Sequence, residues 1–125
     1  MNDFSYMISE DEGNNLVNLV VQGSLNKFDG EKVIKETRAL ALEKQWGILC
    51  DITNATFNVS VADWFYLARN KDVYPDISSE KTAILIHPDS WKLFNYVEDV
   101  TQNVGLKIRV FRKKEDAMAW LKKVD

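Results

Sequence analysis

Several residue types and patterns are scarce in this 125-residue chain, and each scarcity removes a class of function. The single cysteine, Cys50, sits in an apolar run and can form no internal disulfide, so nothing asks for an oxidising compartment. One histidine, His87, and one cysteine are too few to assemble a His/Cys metal site, and no cofactor is expected. There is no Gly-rich phosphate loop, no Gly-x-Gly-x-x-Gly and no Gly-x-Ser-x-Gly elbow. No stretch approaches 18 consecutive apolar residues, and the first residues show no basic segment followed by an apolar one. A cytoplasmic protein that does not span a membrane is the expectation, with peripheral membrane contact left open. A basic excess is also missing. The net charge is −3 and the lysines are interleaved with Asp and Glu, which argues against a nucleic-acid partner.

What is present describes one globular domain over residues 1–125. A hydrophobic fraction of 46% supplies a core, and 28% charged residues supply a solvated surface. A chain of this length buries about two thirds of the surface its unfolded form exposes. No internal repeat, linker or low-complexity segment interrupts it.

The elements alternate. Tyr6 to Glu10 and Leu16 to Gln22 read as two strands of an antiparallel hairpin around the polar turn Asp11 to Asn15, and Gly23 breaks the second. Val33, Thr37, Leu40, Ala41 and Lys44 then fall at helical spacing, with Arg38 and other charged residues on the opposite side. This predicts a first helix over Lys27 to Gln45, capped by Asn26 or Asp29. Gly47 to Asp51 and Thr82 to Ile86 are short, unbroken apolar runs, as in strands covered on both faces. Leu106 to Val110 alternates and belongs near a sheet edge. Further helices are predicted over about Val61 to Val73, Ser90 to Val104 and Lys114 to Val124. The order ββαβαβαβα is that of an α/β domain with a mixed, mostly parallel five-stranded sheet covered by helices.

Three groups of residues are candidates for function. Ligands of parallel sheets bind beyond the carboxyl ends of the strands, where Asp51, Thr53, His87 and Asp89 are expected. An Asp51–His87 pair within hydrogen-bond reach, with Ser90 or Thr53 as nucleophile, would describe a small hydrolase. The structural alternative is that His87 before Pro88 ends a strand and that Asp89 or Ser90 caps the next helix. Tyr66, Trp91 and Phe94 form the second group. Taking Leu93, Val97, Val100 and Val104 as the core stripe of the third helix puts Trp91 opposite and Phe94 on the flank, and Tyr66 falls on the outer side of the second helix. Such aromatics would border an apolar pocket or a contact patch, or else be ordinary boundary residues. Ser60 is the third candidate. Ser60 as N-cap places Asp63 at the third helical position, and Val59 and Trp64 where a hydrophobic staple would sit. Cys50 reads as a buried small hydrophobe and not as a reactive thiol.

Leu49-Cys50-Asp51-Ile52-Thr53-Asn54-Ala55 after the first helix, and the ending Val110-Phe111 through Ala117-Met118-Ala119-Trp120-Leu121, give the chain a resemblance to the SpoIIAA-like family of STAS-type domains over nearly its whole length. The resemblance implies a non-catalytic binding or regulatory domain, and two roles. In anti-sigma-factor antagonists a serine at the start of the second helix is phosphorylated by a kinase-type partner. Ser60 matches that position, although Val59-Ser60-Val61-Ala62 lacks the acidic residue that precedes the family's serine. Similarity to lipid-carrying Sec14-type folds implies instead an apolar or lipid-like ligand, held near the second and third helices by Tyr66, Trp91 and Phe94. A protein partner or a homodimer is a further expectation.

Overall fold

A computed structural model describes residues 4–58, 60, 62–63, 81–103 and 106–123. The described elements are β1 (Ser5–Asp11), β2 (Leu16–Asn26), α1 (Lys27–Lys44), β3 (Gly47–Asn58), β4 (Thr82–Leu85), a 3₁₀ turn (Pro88–Ser90), α2 (Trp91–Asn103), β5 (Ile108–Phe111) and α3 (Lys114–Lys122). The strands form one sheet in the order β1-β2-β3-β4-β5, with β1 antiparallel to β2 and the other neighbours parallel. The helix expected over Val61 to Val73 lies almost wholly outside the described residues; Ala62 and Asp63 are helical.

Strand order that follows chain order, with crossovers of one hand, sets α1 and α2 on the same face. Val33 of α1 and Phe94 and Val97 of α2 pack there with Leu19, Ile52 and Ile86. The opposite face carries α3, whose Ala117 meets Leu16, Leu49, Ala83 and Leu85. Alternation along β3 divides Leu49 from Ile48, Cys50 and Ile52 between the two layers.

Local chemistry explains the boundaries. In the β1–β2 turn, Asp11 accepts from the backbone and side-chain nitrogens of Asn14 at 3.2 and 2.8 Å, and Asn15 adopts φ 54°, which asparagine tolerates. These bonds, the side-chain one foremost, hold the Asp11 carboxyl below its usual range. At the start of α1, Asn26 and Asp29 share the cap: Asp29 N–H donates to Asn26 Oδ1 at 2.9 Å and Asn26 N–H to Asp29 Oδ2 at 3.4 Å.

Two expectations of length are corrected. Gly23, at φ 87°, does not end β2, which continues to Asn26. Glycine accepts this conformation without strain, and the register slips by one residue between Val20 and Gln22. β3 likewise runs past Asp51 to Asn58, because Gln22–Asn26 of β2 pairs with Asn54–Asn58. β4 pairs with only Ile48–Asp51, so β2 and β3 extend beyond the rest of the sheet as a two-stranded ribbon.

Candidate functional site

A cavity of about 90 Å³ lies between the sheet and the α1–α2 layer. Its walls are mainly apolar: Leu25 and Ile52 from the sheet, Val33 and Ile34 from α1, Phe94 and Val97 from α2. Phe57, on the β2–β3 ribbon, also lines it and meets Phe94 edge-on, with ring centroids 5.4 Å apart. Gly30 completes the α1 wall, and a methyl group placed there would meet no atom within 4 Å.

Phe94 is therefore not on the flank of its helix. It is 2% exposed and belongs to the main core. The inward stripe of α2 is Phe94, Val97, Val100 and Thr101, and Leu93 is only half-buried. Phe94, Val97 and Thr101 share one face at i, i+3 and i+7, one position on from a stripe that begins at Leu93. Thr101 is accommodated because its hydroxyl donates to the carbonyl of Val97 at 3.0 Å. Trp91 is half-buried against the same core and not opposite to it, with the Arg112 guanidinium 4.4 Å from its ring centroid. Tyr66 lies outside the described residues.

Arg38 is the lining residue that helical spacing missed. Placed by periodicity on the solvated side of α1, it is 7% exposed and lines the cavity. Ile34, one turn earlier on the same stripe, was the available signal, since residues four apart share a helix face. Thr37, next to Arg38, is fully buried, and its hydroxyl donates to the carbonyl of Val33 at 2.8 Å.

The Cys50 thiol also lines the cavity. Desolvation, with a smaller contribution from the neighbouring Asp51 charge, pushes it up to about 12. It is a neutral, apolar wall element at physiological pH.

Asp51 and His87 do not form a dyad. Asp51 Oδ1 accepts from both the backbone N–H (3.0 Å) and the hydroxyl of Thr53. His87 Nδ1 accepts from Asp89 N–H at 3.1 Å and lies 3.6 Å from the Asp89 carboxylate. Neither bonds to the other. The 3₁₀ turn Pro88–Ser90 that precedes α2 is capped by His87, whose imidazole accepts from the Asp89 N–H. Among the described residues, no three of His, Cys, Asp and Glu come together to hold a metal ion, and no helix is long and apolar enough to cross a membrane.

Ser60 is exposed, and its Oγ accepts from Asp63 N–H at 3.1 Å while Ser60 N–H donates to Asp63 Oδ2 at 3.3 Å. This is a reciprocal cap. Lys27 Nζ stands 3.9 Å from Asp63 Oδ1, which brings the start of α1 beside it.

The arrangement of sheet and helices has solved counterparts. A crystal structure of an uncharacterized protein of the DUF3478 family with a SpoIIAA-like fold, from Shewanella loihica PV-4, matches with a TM-score of 0.61 over 97% of this chain and 95% of that one, at 17% identity. The chain has the SpoIIAA-like fold. An anti-sigma factor antagonist from Mycobacterium paratuberculosis matches with a TM-score of 0.65 over 97% of this chain and 96% of its own, at 8% identity. No protein-family model matches the sequence, and no curated protein does. Within the SpoIIAA-like fold, the cavity occupies the layer between the sheet and its α1–α2 face, away from the layer that α3 closes.

Proposed function

We propose that this chain is a non-catalytic binding domain that takes a small apolar molecule into the cavity beneath α1 and α2. The observation that carries this reading is the lining: an open space in the core walled by Leu25, Ile52, Phe57, Phe94 and Val97, where close packing is the rule in protein interiors. A cavity of about 90 Å³ corresponds to roughly six to nine water-sized positions, and walls this apolar give water few partners. The hydrolase alternative has no support from Asp51 and His87, which are engaged with Thr53 and Asp89.

Toluene titrated into the protein and followed by amide chemical shifts tests the proposal. Saturable shifts at residues of the cavity wall are the expected result. Gly30→Leu projects a side chain into that space and should abolish them while the fold, read by circular dichroism, persists. Shifts that grow linearly and scatter over the surface would sink the idea.

The second reading, a phosphorylation-controlled binding domain, is favoured by the exposure of Ser60 and by the anti-sigma factor antagonist among the structural counterparts. A phosphate on Oγ would sit at a helix N-terminus but beside the Asp63 carboxylate that now caps Ser60, so modification would open the cap. Intact-mass analysis of protein from its native source tests it: a phosphate mapped to Ser60 supports the switch, and an unmodified serine under all growth conditions rejects it.

A further inference from the structure

The cavity has two unlike ends. The carboxyl ends of β2 and β3 and the first turns of α1 and α2 contribute Leu25, Phe57, Gly30 and Phe94. The opposite end, where β4 and β5 begin and α1 and α2 finish, contributes Thr37, Arg38, Thr82 and Thr101. Parallel topology forces this separation: each crossover helix runs back along its strand, so the late turns of α1 and α2 stand over the starts of β4 and β5. All four polar side chains therefore gather at one end and the aromatic rings at the other.

That polar end is biased toward donors. The Thr37 and Thr101 hydroxyls already donate to carbonyls one turn back. Thr82 Oγ1 is buried without a hydrogen-bond partner, so its O–H is available to an acceptor. Arg38 is 7% exposed and has an interaction of its own, and it adds a buried Nε–H that makes no hydrogen bond. A ligand group that suits these residues accepts hydrogen bonds, is negatively charged and is attached to an aliphatic tail.

We propose that the cavity binds a short aliphatic carboxylate, its head group at Arg38 and Thr82 and its tail toward Phe57 and Phe94. This deepens the apolar-ligand reading and rests on it. The cavity volume sets the length: six to nine water-sized positions match a chain of roughly six carbons. A carboxylate reached by a guanidinium is held by charge-assisted bonds, the stronger class.

Isothermal titration of the intact chain with hexanoate and with hexan-1-ol, which share a tail and differ in the head, is the test. Hexanoate should bind at least roughly tenfold more tightly, the ratio expected of a charge-assisted hydrogen bond in an apolar cavity. Arg38→Gln should bring the ratio toward one. If that variant fails to fold, Thr82→Val, which removes one donor and keeps the shape, should still lower hexanoate affinity severalfold. Equal binding of acid and alcohol would overturn the carboxylate assignment and leave the apolar cavity standing. Failure of both ligands at millimolar concentration would overturn both.

Discussion

The backbone N–H of Val110 donates to the carboxylate of Glu98 at 2.7 Å, and this bond seals the outer edge of the sheet. Lys107 and Phe111 present their carbonyls to Thr82 of β4 and to Ile86 just after it, so the alternate residues Ile108 and Val110 direct their backbone groups away from β4. Glu98 on α2 covers the Val110 donor, and Gln102, one turn on, approaches the Ile108 carbonyl at 3.5 Å. Glu98→Ala removes the acceptor and leaves a partly buried N–H without a partner. A loss of about 1–3 kcal/mol is expected in a denaturant titration, with Glu98→Gln retaining most of the stability because its carbonyl still accepts.

Two glycines should respond to alanine in opposite directions. At Gly30 the added methyl enters open space within a helix, so Gly30→Ala should stabilise by roughly 0.5–1 kcal/mol. At Gly47 the same group would stand 3.0 Å from the carbonyl oxygen of Lys81 and 3.3 Å from Leu16 Cδ2. Gly47→Ala should therefore cost about 1–3 kcal/mol, since a backbone atom must move. Thermal melts of the two variants side by side check the pair; equal shifts would contradict the stated packing.

The Cys50 thiol gives a pH signature. Its pKa is raised from 9.0 to about 12, so at neutral pH it should label with a thiol reagent far more slowly than denatured protein does. The sign of the stability effect follows from proton counting. Between pH 9 and about 12 the unfolded chain has lost the thiol proton and the folded chain keeps it, so stability falls as pH rises, by up to about 1.4 kcal/mol per pH unit. Cys50→Val keeps the shape without the proton, and its stability curve should be flatter than that of the parent over this window.

Lys81 closes the end of α3. Its Nζ donates to the Trp120 carbonyl at 3.0 Å and to the Lys123 carbonyl, and lies 5.3 Å from the Trp120 ring centroid. The Trp120 carbonyl also accepts from the Lys123 N–H at 3.2 Å, so Lys81 adds a second donor at the helix C-terminus. Lys81→Met keeps the aliphatic stem and removes the cap. Roughly 1–2 kcal/mol should be lost, with a change in tryptophan emission that Lys81→Arg largely avoids.

Ser60 and Asp63 cap each other, so Ser60→Ala should lower stability by about 1 kcal/mol whether or not the serine is ever modified. Ser60→Asn preserves a capping oxygen and should restore most of it. Equal melting temperatures for the alanine variant and the parent would mean that the cap carries no weight in solution.

Much of the fold could be read from spacing because burial and periodicity coincide in it. Val33, Thr37 and Ala41 face the sheet at the interval that marked the first helix, and the alternation in Ile108–Phe111 belongs to an edge strand. The α/β order and the antiparallel first hairpin follow from the same patterns. The site was less legible. Periodicity assigns Arg38 to solvent because charge normally marks the outer face, yet a cavity beside Ile34 admits it. Phe94 escapes periodicity for a different reason. Leu93 and Phe94 are adjacent and both apolar, so spacing to Val97 admits either as the first residue of the stripe, and packing decides for Phe94. The extension of β2 past Gly23 depends on pairing with a distant strand, which no local pattern contains.

At the opposite margin, the side-chain bonds of β1 run from Tyr6 to Glu36 and from Glu10 to Lys44 and leave its backbone groups aside. Among the described residues β1 pairs with β2 on one side and with no strand on the other. A sheet closed to pairing at one margin can add a strand only at the other. Were a second copy to join along β1, both open margins would be consumed and neither copy could accept a third. Assembly by this route would terminate at a pair, because Glu98 and Gln102 already occupy the outward backbone groups of Val110 and Ile108.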